Sequence, residues 1–175
     1  SLPEITDWVT TQDPDVIVFQ EAGKNISQAS KKLKDLYPHQ IHEPRDHAFG
    51  MVILSRYEFS KIDKIAITNN LGIELSIKPP KFKNSVSIFA LHAIPPMSNT
   101  LWKQRNNELS QMTNHIQENY TPNTLFIGDW NITPYSPFFK NILKETGLNT
   151  GYQWYFPAPT WPSYFNISGS SIFQI

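Results

Sequence analysis

Four polar side chains stand where apolar runs stop. Asp129 and Asn131 follow Thr124-Leu125-Phe126-Ile127-Gly128, Glu21 follows Val16-Ile17-Val18-Phe19-Gln20, and His92 follows Val86 to Leu91. A carboxylate beside a carboxamide can hold a water or a metal on one group and donate hydrogen bonds to an anion from the other. In extended backbone Asp129 and Asn131 would project from one face, with Trp130 on the opposite side. Alone, each position has a plainer meaning: Asp-x-Asn followed by Thr133-Pro134 opens a turn, and Glu21 reads as a solvent-facing loop residue. As a set they are more informative, because α/β sheets place sites at strand ends. An acid, an imidazole and Asp-x-Asn suit metal-assisted phosphoryl transfer to water. Carboxylate oxygens favour Mg2+ or Mn2+ over zinc, and such a cation polarises a phosphoryl oxygen. Aspartate can orient and deprotonate the attacking water. The asparagine amide can donate to phosphate oxygens, and histidine to the phosphate or the leaving oxygen.

The elements that must position these groups follow from periodicity. Val16–Phe19, Gly50–Arg56, Val86–Leu91 and Thr124–Ile127 are short runs rich in β-formers, so they predict buried strands. His39–Glu43 reads as a further short strand. Phe59–Thr68 and Leu71–Lys78 alternate apolar and polar residues around Asn69-Asn70, which predicts a half-buried hairpin. Helices are expected over Pro3–Thr11, over Asn25–Tyr37 with Asn25 or Ser27 near its cap, and over Ser136–Thr146 before Gly147. The longest helix is expected over Asn99–Asn119, with Leu101, Leu109, Met112 and Ile116 as its buried stripe and Arg105 in its first half. Lys31, Lys32 and Lys34 read as a solvated helix face. Strands interleaved with helices predict a mixed sheet system with helices outside, α/β or α+β by element order.

Composition bounds the rest. A chain of 175 residues, 39% hydrophobic and 13% aromatic, is long enough for one domain with a sizeable core. Fifteen basic residues balance fifteen acidic ones, and the pI is about 6.9. A protein wrapping long duplex DNA through its phosphates would show a basic excess; a small phosphorylated substrate stays open. Having no cysteine, the chain has no disulfide, zinc–thiolate site or cysteine nucleophile. No run reaches transmembrane length, and the N-terminus lacks a signal peptide's regions. The chain reads as a soluble domain that segments outside it could tether to a membrane, with its compartment undetermined. From Thr146 on, acidic and basic residues are absent and aromatics crowd. They could stack on bases, contact lipid or pack on the body as a long loop leading to a strand near Ile172.

Val16-Ile17-Val18-Phe19-Gln20-Glu21, then Gly50-x-x-Ile53-Leu54-Ser55-Arg56, Leu91-His92-x-x-Pro95 and Gly128-Asp129-x-Asn131 together resemble the endonuclease/exonuclease/phosphatase superfamily. This is the group of deoxyribonuclease I, exonuclease III, inositol phosphatases and sphingomyelinases. The resemblance covers nearly the whole chain. Thr133-Pro134-x-Ser136-Pro137-Phe138 and Thr160-Trp161-Pro162 look like a bacterial branch of it. The resemblance implies a four-layer α/β/β/α sandwich. By the same resemblance Glu21 is the metal-binding glutamate, for Mg2+ or Mn2+. Asp129 is the aspartate that orients or activates water, Asn131 its transition-state partner, and His92 the first histidine of the deoxyribonuclease I pattern. Ser55 and Arg56 match a family strand end without a role.

Two departures accompany the resemblance. The family opens with a strand carrying an asparagine near the metal and closes with an Asp-His pair on a last strand, and neither matches a segment of residues 1–175. The expectation is one domain spanning 1–175, truncated at both ends, with catalysis impaired in this chain and intact in its parent. The expected activity is hydrolysis of a phosphodiester or phosphomonoester in a nucleic acid, lipid head group or small molecule, by a monomer with no obligate protein partner. The alternative is a catalytically silent binding module that keeps the fold.

Overall fold

The computed structural model describes residues 2–46, 48–68 and 70–150. The aromatic C-terminal stretch and the strand expected near Ile172 lie outside the described residues. In chain order the elements are α1 (Leu2–Gln12), β1 (Val16–Gln20), α2 (Lys24–Ser30), β2 (His39–Glu43), β3 (Met51–Ser55), β4 (Phe59–Ile67), β5 (Asn70–Ile77), β6 (Val86–Leu91), α3 (Asn99–Glu118), β7 (Thr124–Ile127) and α4 (Pro137–Thr146).

The strands form two sheets, in the orders β1-β3-β2 and β4-β5-β6-β7. All pairings are antiparallel except β6 with β7, which run parallel across the α3 crossover. Period-two alternation sorts each strand's side chains between two cores. Met51 and Ile53 of β3 meet Ile73, Leu75 and Ile77 of β5 and Val86, Ile88 and Ala90 of β6 in a core between the sheets. The intervening Val52 and Leu54 turn outward onto Val9, Leu33 and Tyr37 beneath α1 and α2. On the far side Phe89 and Leu91 of β6 pack on Leu109, Met112 and Ile116 of α3 and Ile142 of α4. Three apolar interfaces in series make four layers, α/β/β/α, as expected.

Tertiary contacts reshape some of the expected elements. The helix expected over Asn25–Tyr37 is α-helical only to Ser30 and tightens into a 3-10 turn at Lys31–Leu33, with Gly23 at its N-cap. Leu33 O then accepts from both Leu36 and Tyr37, and this turn lets the Tyr37 hydroxyl donate to Pro14 O at 2.8 Å. Ser27, expected near the cap, is buried instead and bonds His42 Nδ1 at 2.9 Å. The hairpin is half-buried only on β4. Its partner β5 lies between β4 and β6 and is covered on both faces. Glu74 of β5 is therefore 2% exposed, held by Lys61 Nζ at 2.5 Å and His115 Nε2 at 2.8 Å. Strand β7 is an edge strand of the described sheet, and Leu125 is 39% exposed.

Candidate functional site

Alternation along β1 puts Gln20 on the face of Val16 and Val18, toward the opposing sheet. At the rim of the sandwich its carboxamide crosses the gap. Gln20 Nε2 donates to Leu91 O at 3.1 Å, and Gln20 Oε1 accepts from the Asp129 backbone N–H at 2.7 Å. One side chain thus ties the end of β1 to the ends of β6 and β7. Gly128 makes the approach possible: a Cβ there would lie 2.0 Å from Leu91 O and 2.5 Å from Gln20 Nε2, and its φ is +138°.

Residues 128–131 form a turn rather than a continuation of β7, so the strand alternation expected for Asp129, Trp130 and Asn131 stops at Ile127. Asp129 Oδ1 accepts the Asn131 backbone N–H at 2.9 Å, an Asx-type closure. Asn131 adopts a left-handed φ of +50° and donates from Nδ2 to Ala93 O at 2.8 Å. The Ala93 N–H returns a bond to Asp129 O at 2.9 Å. Trp130 folds back onto Phe126, with ring centroids 4.1 Å apart. The turn reading and the site reading of this stretch are therefore compatible: the turn sets the Asn131 side chain and the Asp129 carbonyl against the residue after His92.

His92 is buried, with Nδ1 3.2 Å from Ala48 O and its ring 5.1 Å from that of Phe49. Its carbonyl accepts from Asn70 Nδ2 at 2.7 Å. Helix α3 backs both loops with buried polar groups. Glu108, fully buried, accepts from the Ile94 N–H at 2.9 Å and from Gln104 Nε2 at 3.0 Å. Arg105 donates from Nη1 to Asn131 O and from Nε to Asn106 Oδ1 at 2.7 Å. Burial pulls the Arg105 pKa below its ordinary value. Neither Gln20 nor this buried polar face was assigned a role from sequence. The available signal for α3 was phase: Arg105 stands four residues before Leu109 on the same stripe.

Glu21 is placed by the neighbouring turn. It has a left-handed φ of +54°, and the chain beyond it is held by Ala22 N–H to Gly50 O at 3.0 Å. Gly50 is required there, since a Cβ would fall 2.1 Å from Ala22 O. The Glu21 side chain is exposed and has no partner among the described residues. An unengaged carboxylate of this kind fits a hard divalent cation, and the second oxygen of Asp129 is similarly free of described partners. Among the described residues no group of three or more His, Cys, Asp or Glu side chains could hold a metal, so Glu21 is a partial donor set. Elsewhere Ser27, His42 and Gln40 form a chain of bonds at 2.9 and 2.8 Å. It follows the order of a nucleophilic triad, but Ser27 is buried and the third member is neutral; it ties α2 to β2. No described helix is long and apolar enough to cross a membrane.

A two-sheet sandwich between helices, with polar strand ends gathered at one rim, is the architecture of deoxyribonuclease I-like proteins. The chain belongs to the Endonuclease/Exonuclease/phosphatase family, whose sequence profile matches residues 3–171. Comparison with curated proteins gave no match. Among solved structures, sphingomyelinase C from Streptomyces griseocarneus superposes with a TM-score of 0.69 at 18% identity, over 85% of this chain and 62% of that one. TDP2 from D. rerio, complexed with a single-strand DNA product, gives 0.66 at 15% identity, over 81% and 56%. A β-hairpin deletion mutant of beta toxin from Staphylococcus aureus gives 0.59 at 18%, over 78% and 60%. The chain spans less than two thirds of the length of each, and at these identities the likeness is one of fold.

Proposed function

We propose that the chain is the body of a divalent-metal-dependent phosphoesterase, hydrolysing a phosphodiester or phosphomonoester by in-line attack of water. The observation that supports this reading is the convergence of three strand ends through Gln20, Leu91, Ala93 and Asp129: Glu21 follows Gln20, His92 stands between Leu91 and Ala93, and Asn131 closes the turn on Asp129. Mg2+ or Mn2+, held in part by Glu21, would polarise a phosphoryl oxygen and offset charge in the transition state.

The chain's own residues divide the remaining work. Asp129 Oδ1 is committed to the Asn131 N–H, which fixes the carboxylate and leaves Oδ2 to orient the attacking water and take its proton. One amide hydrogen of Asn131 is committed to Ala93 O. The other is available to a phosphate oxygen, where it gains strength as charge develops. His92 faces a carbonyl with Nδ1, so Nδ1 carries the proton and Nε2 donates only in the imidazolium form. Equal numbers of acidic and basic residues favour a short or small phosphate ester over long duplex DNA. The similarity to sphingomyelinase C and to DNA-bound TDP2 makes a lipid phosphodiester and a single-stranded DNA end the substrates to try first.

The test is turnover by the purified full-length protein of bis(p-nitrophenyl) phosphate, sphingomyelin vesicles, a single-stranded oligonucleotide and plasmid DNA, with Mg2+ or with EDTA. At least one substrate should turn over with Mg2+ and none with EDTA, and Asp129→Asn should lower the rate by about 10²–10⁴-fold. No turnover of any substrate would favour the catalytically silent binding module.

A further inference from the structure

We infer that Arg105 is a positioning residue for Asn131, acting through the Asn131 backbone carbonyl; this rests on the phosphoesterase reading. Arg105 shares the buried stripe of α3 with Leu109, Met112 and Ile116 and is 4% exposed. A guanidinium in that place is costly unless its charge and donors are used. Among the described residues no carboxylate lies within ion-pair distance of it. Its described bonds go instead to Asn106 Oδ1, which fixes the fork, and to Asn131 O. A bond from a charged donor to a carbonyl is stronger than a neutral one. Tying a loop carbonyl alone would need only a neutral donor.

Asn131 is the residue in the turn that needs such a hold. A non-glycine residue at φ +50° persists where its surroundings over-determine it. The Asp129 Oδ1 bond fixes its N–H and the Ala93 bond fixes its carboxamide. Arg105, reaching in from the helix layer, fixes the third group, the carbonyl. Without it the peptide after Asn131 is released, φ can leave the left-handed region, and the carboxamide swings away from Ala93 and from the phosphate position. Substrate binding by other groups would persist, so the loss falls on the chemical step.

The experiment is a double-variant cycle. Arg105→Met should lower kcat by about 10–100-fold with KM changed less than about twofold, and Arg105→Lys should recover part of the loss. In an Asn131→Ala background Arg105→Met should add no more than about a twofold loss, because its effect passes through Asn131. Multiplicative losses in the double variant, or a loss carried only by a higher KM, would overturn the inference. A second readout needs no turnover. In Arg105→Met the Asn131 side-chain NH2 resonances should move toward free-amide positions, and the Asn131 backbone amide proton, held by Asp129 Oδ1, should exchange faster. Unchanged spectra would overturn the inference even if the protein hydrolysed nothing, whereas wild-type inactivity with shifted spectra would fault the phosphoesterase reading alone.

Discussion

The carboxamide oxygen of Gln20 accepts the backbone N–H of Asp129 at 2.7 Å, joining residues 109 apart in the chain across the gap between two sheets. The backbone at Asp129, proposed to act on the water, is thereby held against the residue that precedes Glu21, proposed to bind the metal.

Gln20→Leu should therefore damage function more than stability. It removes two hydrogen bonds, one part-buried and one exposed, about 1–3 kcal/mol in all, so the protein should stay folded at 25 °C. Fixed geometry between the metal end and the water end is lost, and kcat should fall about 10–100-fold while the Mg2+ concentration for half-maximal rate rises. Kinetics over a Mg2+ titration, with a thermal melt as control, check both. An unchanged Mg2+ dependence would remove Gln20 from this role.

Gly128→Ala meets backbone rather than a side chain that can give way, since Leu91 O lies 2.0 Å from the added Cβ at a φ of +138°. Strain and overpacking together should cost about 3 kcal/mol, read as a lower urea midpoint at unchanged m-value.

Stability should fall as pH drops through the histidine range. Burial, with a smaller contribution from the Lys31 charge, holds the pKa of His42 below its ordinary 6.5. The unfolded chain then takes up the proton first, so stability rises with pH and is lost as pH falls below that value. The urea midpoint should be lower at pH 5.5 than at pH 7.5, and His42→Gln should narrow that difference. An equal difference in both proteins would show that His42 is not the group responsible.

Glu74→Gln offers a contrast. Lys61 and His115 both converge on this buried carboxylate, and neutralising it weakens two charge-assisted bonds at a cost of about 1–3 kcal/mol. Glu74 has no described bond to the loops of His92 or Asn131, so kcat should hold while the urea midpoint falls. A fall in kcat would mean that the network reaches the site.

Much of this molecule was legible residue by residue. Continuous apolar runs marked β3 and β6 because both of their faces are covered, and the stripe on α3 marked its buried side. Glu21, His92, Asp129 and Asn131 stood out because each ends an apolar run. What the sequence hid depends on partners far along the chain. Gln20 acquires its meaning only when Leu91 and Asp129 arrive from the other sheet. Glu108 looks like any helix glutamate until the Ile94 N–H is found on it. The early end of α2 came from Tyr37 reaching Pro14, and the burial of Glu74 from β5 becoming a central strand. Both are tertiary overrides of local pattern.

The central claim is that Glu21 and Asp129 serve one metal-dependent site, and paramagnetic broadening by Mn2+ tests it most directly. Substoichiometric Mn2+ added to the 15N-labelled protein should broaden the amide signals of Glu21, Asp129 and Asn131 before others, and Glu21→Gln should abolish the effect. Broadening of Glu21 with Asp129 and Asn131 left sharp, or the same pattern in Glu21→Gln, would contradict it.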